Sequence, residues 1–125
     1  MILVDTSIWI DHLRTADTGL VDLLAQNVVV IHDFVIGELA CGNLKQRDQV
    51  LTLLTHLPRC VSVTHAETLF FIERHRLMGR GIGYIDAGLL AAATLANCNL
   101  WTRDKRLASI AGELGRVYAP PGRRG

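Results

Sequence analysis

DAGLLAAATLANCNLWTRD, residues 86–104, opens on Asp86 and carries no further charged side chain until Arg103. Its alanine- and leucine-rich half has helical spacing and is apolar nearly all round, the mark of a buried helix. Behind it, Asn99-Leu100-Trp101-Thr102 reads as a short strand that runs up to a second acid, Asp104. A buried helix feeding a buried strand is the unit from which α/β layer folds are built. A buried carboxylate must find a cation, strong donors or a metal, so Asp86 asks for partners.

Outward from that stretch, short apolar runs alternate with helical patterns. Ile2-Leu3-Val4 reads as a buried strand, followed by a helix with Ser7 as its N-cap and Ile8, Trp9 and Leu13 along it. Leu20, Leu23 and Leu24 keep helical spacing, and Val28-Val29-Val30-Ile31 is a second strand. Phe34 to Gly42 forms a helix, as does the stripe Val50, Leu53, Leu54, Leu57 up to Pro58. Val61-Ser62-Val63 is a third short strand, and a helix from His65 to about Met78 places Ala66, Leu69, Phe70 and Leu77 on one face. Glu73 shares that face, a position from which it could pair with an arginine near the cleft. Gly79, Gly81 and Gly83 break the chain ahead of the Asp86 helix; a last helix spans about Lys105 to Leu114, with a terminal strand near Val117-Tyr118. Apolar strands separated by helices imply right-handed crossovers and an α/β sandwich of three layers, a mostly parallel sheet flanked by helices. One domain covers residues 1–119, and 120–125 reads as a flexible tail.

In such a sheet the functional crevice lies beyond the carboxyl ends of the strands. Asp5 and Asp104 follow apolar strands, and Asp86 heads a helix that starts at the same edge. Glu38, with Phe34 and Val35 one turn before it and Gly42 one turn after, is expected to point inward. Each acid also has an ordinary explanation: a helix cap for Asp5, a dipole partner for Asp86, a salt bridge for Glu38, a turn acid for Asp104. Four carboxylates gathered together repel unless a dication neutralises them, and all-oxygen ligands favour magnesium or manganese.

The bulk properties narrow the functional classes. A chain of 125 residues that is 50% hydrophobic can bury a real core. No apolar run approaches the roughly 20 residues of a membrane span, and Asp5 arrives too early for a secretory signal, so the expectation is a cytoplasmic protein without membrane contact. Cys41, Cys60 and Cys98 are widely spaced in apolar surroundings and read as reduced core thiols. The five histidines show no metal-ligand spacing and read as surface or cap residues, while Trp9 and Trp101 read as core or dimer contacts. A net charge of +1 makes no global demand for nucleic acid. Locally, Arg80, Arg103, Lys105 and Arg106 bracket the acids, an arrangement suited to holding an RNA backbone beside a cation.

The ordered series Met1-Ile2-Leu3-Val4-Asp5-Thr6-Ser7-Ile8-Trp9-Ile10, Glu38-Leu39 with Gly42 behind, Asp86-Ala87 opening an alanine-rich helix, and Trp101-Thr102-Arg103-Asp104 resembles the PIN-domain ribonucleases, specifically the VapC toxins of bacterial toxin–antitoxin pairs. The resemblance spans nearly the whole chain. It implies a metal-dependent endoribonuclease of a type II pair, with Asp5, Glu38, Asp86 and Asp104 holding one or two Mg2+ or Mn2+ ions and Thr6, Ser7 and Thr102 as supporting hydroxyls. It also implies a homodimer, a transfer- or ribosomal-RNA substrate, inhibition of translation, and a cognate VapB-type antitoxin that blocks the cleft. One departure is visible: Lys105-Arg106 precede Leu107 where the family often has an apolar or aromatic residue soon after the last acid.

Chemistry alone suggests the same reaction, hydrolysis by a metal-activated water that leaves 5′-phosphate and 3′-hydroxyl ends. Asp5 and Asp86 would be direct ligands, with Glu38 and Asp104 serving a second ion or the attacking water. Three other classes stay open: a PIN-like domain that binds RNA or protein without cutting, an aspartyl-phosphate hydrolase, and a phospho-acceptor receiver. The hydrolase wants a second Asp where Ser7 stands, and the receiver wants an acceptor Asp that Val61-Ser62-Val63-Thr64 lacks.

Overall fold

The computed structural model describes residues 1–121; the remainder of the expected tail, 122–125 with Arg123 and Arg124, lies outside the described residues. In chain order the elements are β1 (Ile2–Val4), α1 (Thr6–Arg14), α2 (Thr18–Ala25), β2 (Val29–Val30), α3 (Asp33–Ala40), α4 (Arg47–Thr55), α5 (His65–His75), α6 (Tyr84–Ala96), β3 (Asn99–Trp101) and α7 (Lys105–Glu113). The strands form one parallel sheet in the order β2-β1-β3, with Ile2 opposite both Val29 and Asn99. Successive strand residues face opposite sides of a sheet, so the burial of Ile2, Leu3 and Val4 alike requires cover on both faces. Helices supply it, and the architecture is the α/β sandwich expected. Among the described residues no helix is long and apolar enough to cross a membrane.

Two expected strands contract to single bridges. Pairing next to β2 occurs upstream of Val61-Ser62-Val63, as a parallel bridge between Ile31 and Arg59. Val61 is 77% exposed, so no packing rewards a longer strand there. At the other edge Val117 makes one parallel bridge to Leu100.

Helix α5 is rotated from its expected setting. Thr68 is buried and Phe71 and Ile72 are half-buried, whereas Leu69 and Phe70 are exposed. Both faces of this helix are apolar enough to seat, and contact with α6 selects the Thr68 face. Glu73, on the exposed side, makes no ion pair among the described residues. Cys60 and Cys98 are core thiols, and burial pushes the Cys60 thiol up to about 11; Cys41 instead is exposed at the end of α3. Both tryptophans are buried.

Two glycines bring the functional edge together. A Cβ on Gly88 of α6 would stand 2.8 Å from Cε2 of Phe34, so α3 can approach α6 only because that side chain is missing. Gly81 has φ +84°, and a Cβ there would meet Cδ of Arg106 at 2.6 Å. The turn ahead of α6 therefore lies directly against α7, to which Arg80 adds a two-pronged bond with Glu113 at 2.6 and 3.2 Å.

Candidate active site

In the order β2-β1-β3 the chain leaves β1 on one side and returns on the other, so the switch point lies at the carboxyl end of β1. Asp5 stands there. Its backbone continues the ladder through its amide to the Trp101 carbonyl at 2.9 Å, and its side chain then caps α1 by accepting from the Thr6 amide at 2.7 Å. The cap is thus Asp5 and not Ser7, because the residue that leaves the strand, at ψ 159°, is the one able to turn its carboxylate onto the first helical amide. Ser7 sits inside the helix, where its hydroxyl donates weakly to Asp5 Oδ2 at 3.5 Å and accepts from the Arg103 amide at 3.1 Å. Thr102, just past β3, donates to the same Oδ2 at 2.7 Å. Asp5 is 7% exposed and aimed by these three neighbours.

The other acids arrive on three further elements. Asp86 lies in the first turn of α6, half-buried. Burial pushes its carboxyl above the ordinary range, the nearby Gly83 amide opposes the rise, and the charges of Asp5, Asp104 and Glu38 push it further. Asp104 caps α7, accepting from the Leu107 amide at 3.0 Å, while its own amide donates to the Thr102 hydroxyl. Glu38 does not point into the core as expected. Val35 and Leu39 form the buried stripe of α3, which leaves Glu38 exposed at its border, accepting from the Thr6 hydroxyl at 2.6 Å.

Side chains far apart in sequence therefore share one electrostatic neighbourhood centred on Asp86. The donor set is all oxygen, carboxylates with supporting hydroxyls, and suits a small hard dication. Among the described residues no three acids converge closely enough to form a closed cage as they stand. A cation of the magnesium type keeps several waters and needs only one or two carboxylates directly, so the residues fit such an ion.

The basic residues divide. Arg80 is held by Glu113, and Arg103 by Asp11 and Asp17, so neither presents the free charge that a phosphate contact wants. Lys105 and Arg106 make no ion pair among the described residues. Asp11 and Asp17 did not stand out in the sequence; only the pattern Asp17-Thr18-Gly19-Leu20 marks Asp17 as a cap. His32 caps α3 through Nδ1, as a cap histidine should, yet it is fully buried.

Comparison with known proteins bears on the family and the fold. The model of the PIN domain matches residues 2–113. The chain is 53% identical over 120 residues to Ribonuclease VapC32 of Mycobacterium tuberculosis, in the CDC 1551 and H37Rv strains alike, covering 95% of this chain and 97% of that protein. Among solved structures it resembles PAE2754 from Pyrobaculum aerophilum, with a TM-score of 0.63 at 16% identity, covering 87% of this chain and 83% of the other. It also resembles FitAcB from Neisseria gonorrhoeae, at 0.62 and 19% with 90% and 94% covered; these two likenesses speak to the fold. A sheet edge built from Asp5, Asp86 and Asp104, a family match over most of the chain and this close relative together place the chain in the PIN-domain family, in its VapC branch.

Proposed function

We propose that this chain is the toxin of a type II toxin–antitoxin pair, an endoribonuclease that hydrolyses RNA phosphodiester bonds and so inhibits translation until a VapB-type antitoxin neutralises it. The observation that carries the reading is the linkage of Asp5, Glu38 and the Asp104 amide through Thr6 and Thr102 at the switch point of a parallel sheet, with Asp86 feeling the charge of all three acids. The name of the relative, Ribonuclease VapC32, supports the RNA substrate and the kind of partner.

Mg2+ or Mn2+ bound at this edge would supply a water acidic enough to attack at neutral pH, together with charge stabilisation on the phosphoryl oxygens. Asp5 and Asp86 are the residues that would hold the ion. Asp5 is pre-aimed by Thr6, Ser7 and Thr102, so little ordering remains to be done when the ion binds. Glu38 and Asp104, exposed at the rim, would orient the incoming water or hold a second ion. Lys105 and Arg106, on the first turn of α7 beside Asp104, hold the RNA backbone. Transfer or ribosomal RNA is the substrate class. The exposed apolar side chains Leu69 and Phe70 on α5 are the contact of a homodimer.

The test is cleavage of pooled cellular RNA by the unmodified chain in Mg2+ or Mn2+, with EDTA alongside. Asp5→Asn and Asp86→Asn should each cut no faster than the EDTA control. Asparagine caps a helix as well as aspartate does, so Asp5→Asn stays folded. Asp86→Asn should melt no lower than the unmodified chain, because it removes a carboxylate that its neighbours repel. Undiminished cutting by either variant, or binding of RNA without cutting by the unmodified chain, would refute the nuclease reading.

A further inference from the structure

We propose that Arg103 is a positioning residue for the acid cluster, holding the Thr102–Asp104 turn against α1 and α2 so that Thr102 meets Asp5, and that it is not an RNA ligand. This rests on the nuclease reading above.

The turn between β3 and α7 carries two groups that the site needs. Thr102 donates to Asp5 Oδ2 at 2.7 Å, and Asp104 adds its charge beside Asp86 while capping α7. Arg103 stands between them and is held at three points, by its amide and by two nitrogens of its side chain. Its amide donates to the Ser7 hydroxyl at 3.1 Å, its Nε to Asp11 Oδ2, and its Nη2 to Asp17 Oδ2 at 3.0 Å. The amide anchor also settles the Ser7 hydroxyl: by occupying an oxygen lone pair it leaves the Ser7 proton to face Asp5.

The far anchor is itself rigid. Asp17 caps α2 through Oδ1 to the Leu20 amide at 3.1 Å, and its own amide donates to His12 Nδ1 at 3.0 Å. Burial alone would raise the Asp17 carboxyl, but the Leu20 amide and the Arg103 guanidinium outweigh it and hold the group below its ordinary range. One planar guanidinium thus ties the turn to two separate helices, a geometry that an ammonium cannot reproduce. Ion pairs this exposed add little to stability. What the fork contributes is placement. A phosphate approaching Arg103 would have to displace two carboxylates, which makes it a poor RNA contact.

The experiment compares Arg103→Lys, Arg103→Gln and the double variant Asp11→Asn/Asp17→Asn with the unmodified chain. Three quantities are read: kcat and KM for cleavage of pooled cellular RNA, Mn2+ affinity without RNA by water-proton relaxation, and thermal melting. All three variants should lose about tenfold or more in kcat and in Mn2+ affinity, with KM little changed. Lys should fail as Gln does, since the fork and not the charge is at issue. A raised KM in Arg103→Gln that Arg103→Lys restores would make Arg103 an RNA contact and overturn the proposal. Lower melting with kcat and Mn2+ affinity intact would reduce it to a surface brace and overturn it equally. If the unmodified chain binds Mn2+ but cuts no RNA, the nuclease reading fails by itself, and the Mn2+ titrations of the variants still decide the role of Arg103. If the unmodified chain neither binds Mn2+ nor cuts RNA, both fall.

Discussion

At the scale of single residues, buried polar side chains such as Asp5, His32 and Thr68 find hydrogen-bond partners, while Trp9 Nε1 has none among the described residues. His32 is the clearest case outside the acid edge. Fully buried at the end of β2, it accepts the Phe34 amide on Nδ1 at 2.9 Å, which leaves Nε2 to carry the proton toward the Ser62 hydroxyl at 3.3 Å. Burial pushes its pKa below the ordinary 6.5, against a smaller upward pull from Asp33. A histidine depressed in the folded state contributes stability that is fully present above the unfolded value of 6.5 and is lost as pH falls below it toward the folded value. Melting between pH 8 and pH 5 should therefore fall more steeply for the unmodified chain than for His32→Asn, which keeps a capping oxygen and does not titrate. Equal slopes would show that His32 plays no such part. His32 was readable as a cap from its place before a helix, whereas its burial depends on Ser62 and Phe34 closing over it, which no local pattern displays.

Among elements, the approach of α3 to α6 decides whether Glu38 shares a neighbourhood with Asp86. Gly88→Ala tests it. Alanine favours an isolated helix over glycine by about 1 kcal/mol, but its Cβ would press on the Phe34 ring, which is also packed against His32 with centroids 4.7 Å apart. Overpacking of this kind costs about 1–3 kcal/mol. The net expectation is a loss of up to about 2 kcal/mol in urea unfolding, partly relieved by Phe34→Leu in the same chain, with slower RNA cleavage as α3 is displaced. A stabilised Gly88→Ala would mean that the helices do not depend on this contact. In the sequence, Gly88 is only a flaw in a good helix; the ring it admits comes from an element more than fifty residues earlier. The α5 helix shows the converse difficulty. Its sequence offers two apolar faces, Leu69-Phe70 and Thr68-Phe71-Ile72, and the choice between them belongs to α6.

For the whole molecule, the consequence of that choice is an exposed apolar patch, with Phe70 68% and Leu69 49% accessible. Monomeric proteins keep such patches small, and a second copy is the occupant consistent with the proposed dimer. Light scattering on the purified chain should give twice the 13.8 kDa chain mass, and Phe70→Glu should give the single-chain mass with the fold intact by circular dichroism. A dimer that survives Phe70→Glu would put the contact on another face.

The sequence by itself determined that the fold is an α/β layer structure and that Asp5, Asp86 and Asp104 lie at strand and helix ends. Those facts follow from local periodicity and from the penalty on lone charges in apolar runs, both of which act over a few residues. Tertiary structure alone decided that Glu38 is exposed on the rim, that Val61-Ser62-Val63 leaves the sheet, and that Arg103 is held by Asp11 and Asp17. Each of these depends on which distant surface arrives opposite, and hydrogen bonds and ion pairs are settled by that arrival. A chain can state which residues need partners; only packing selects the partners.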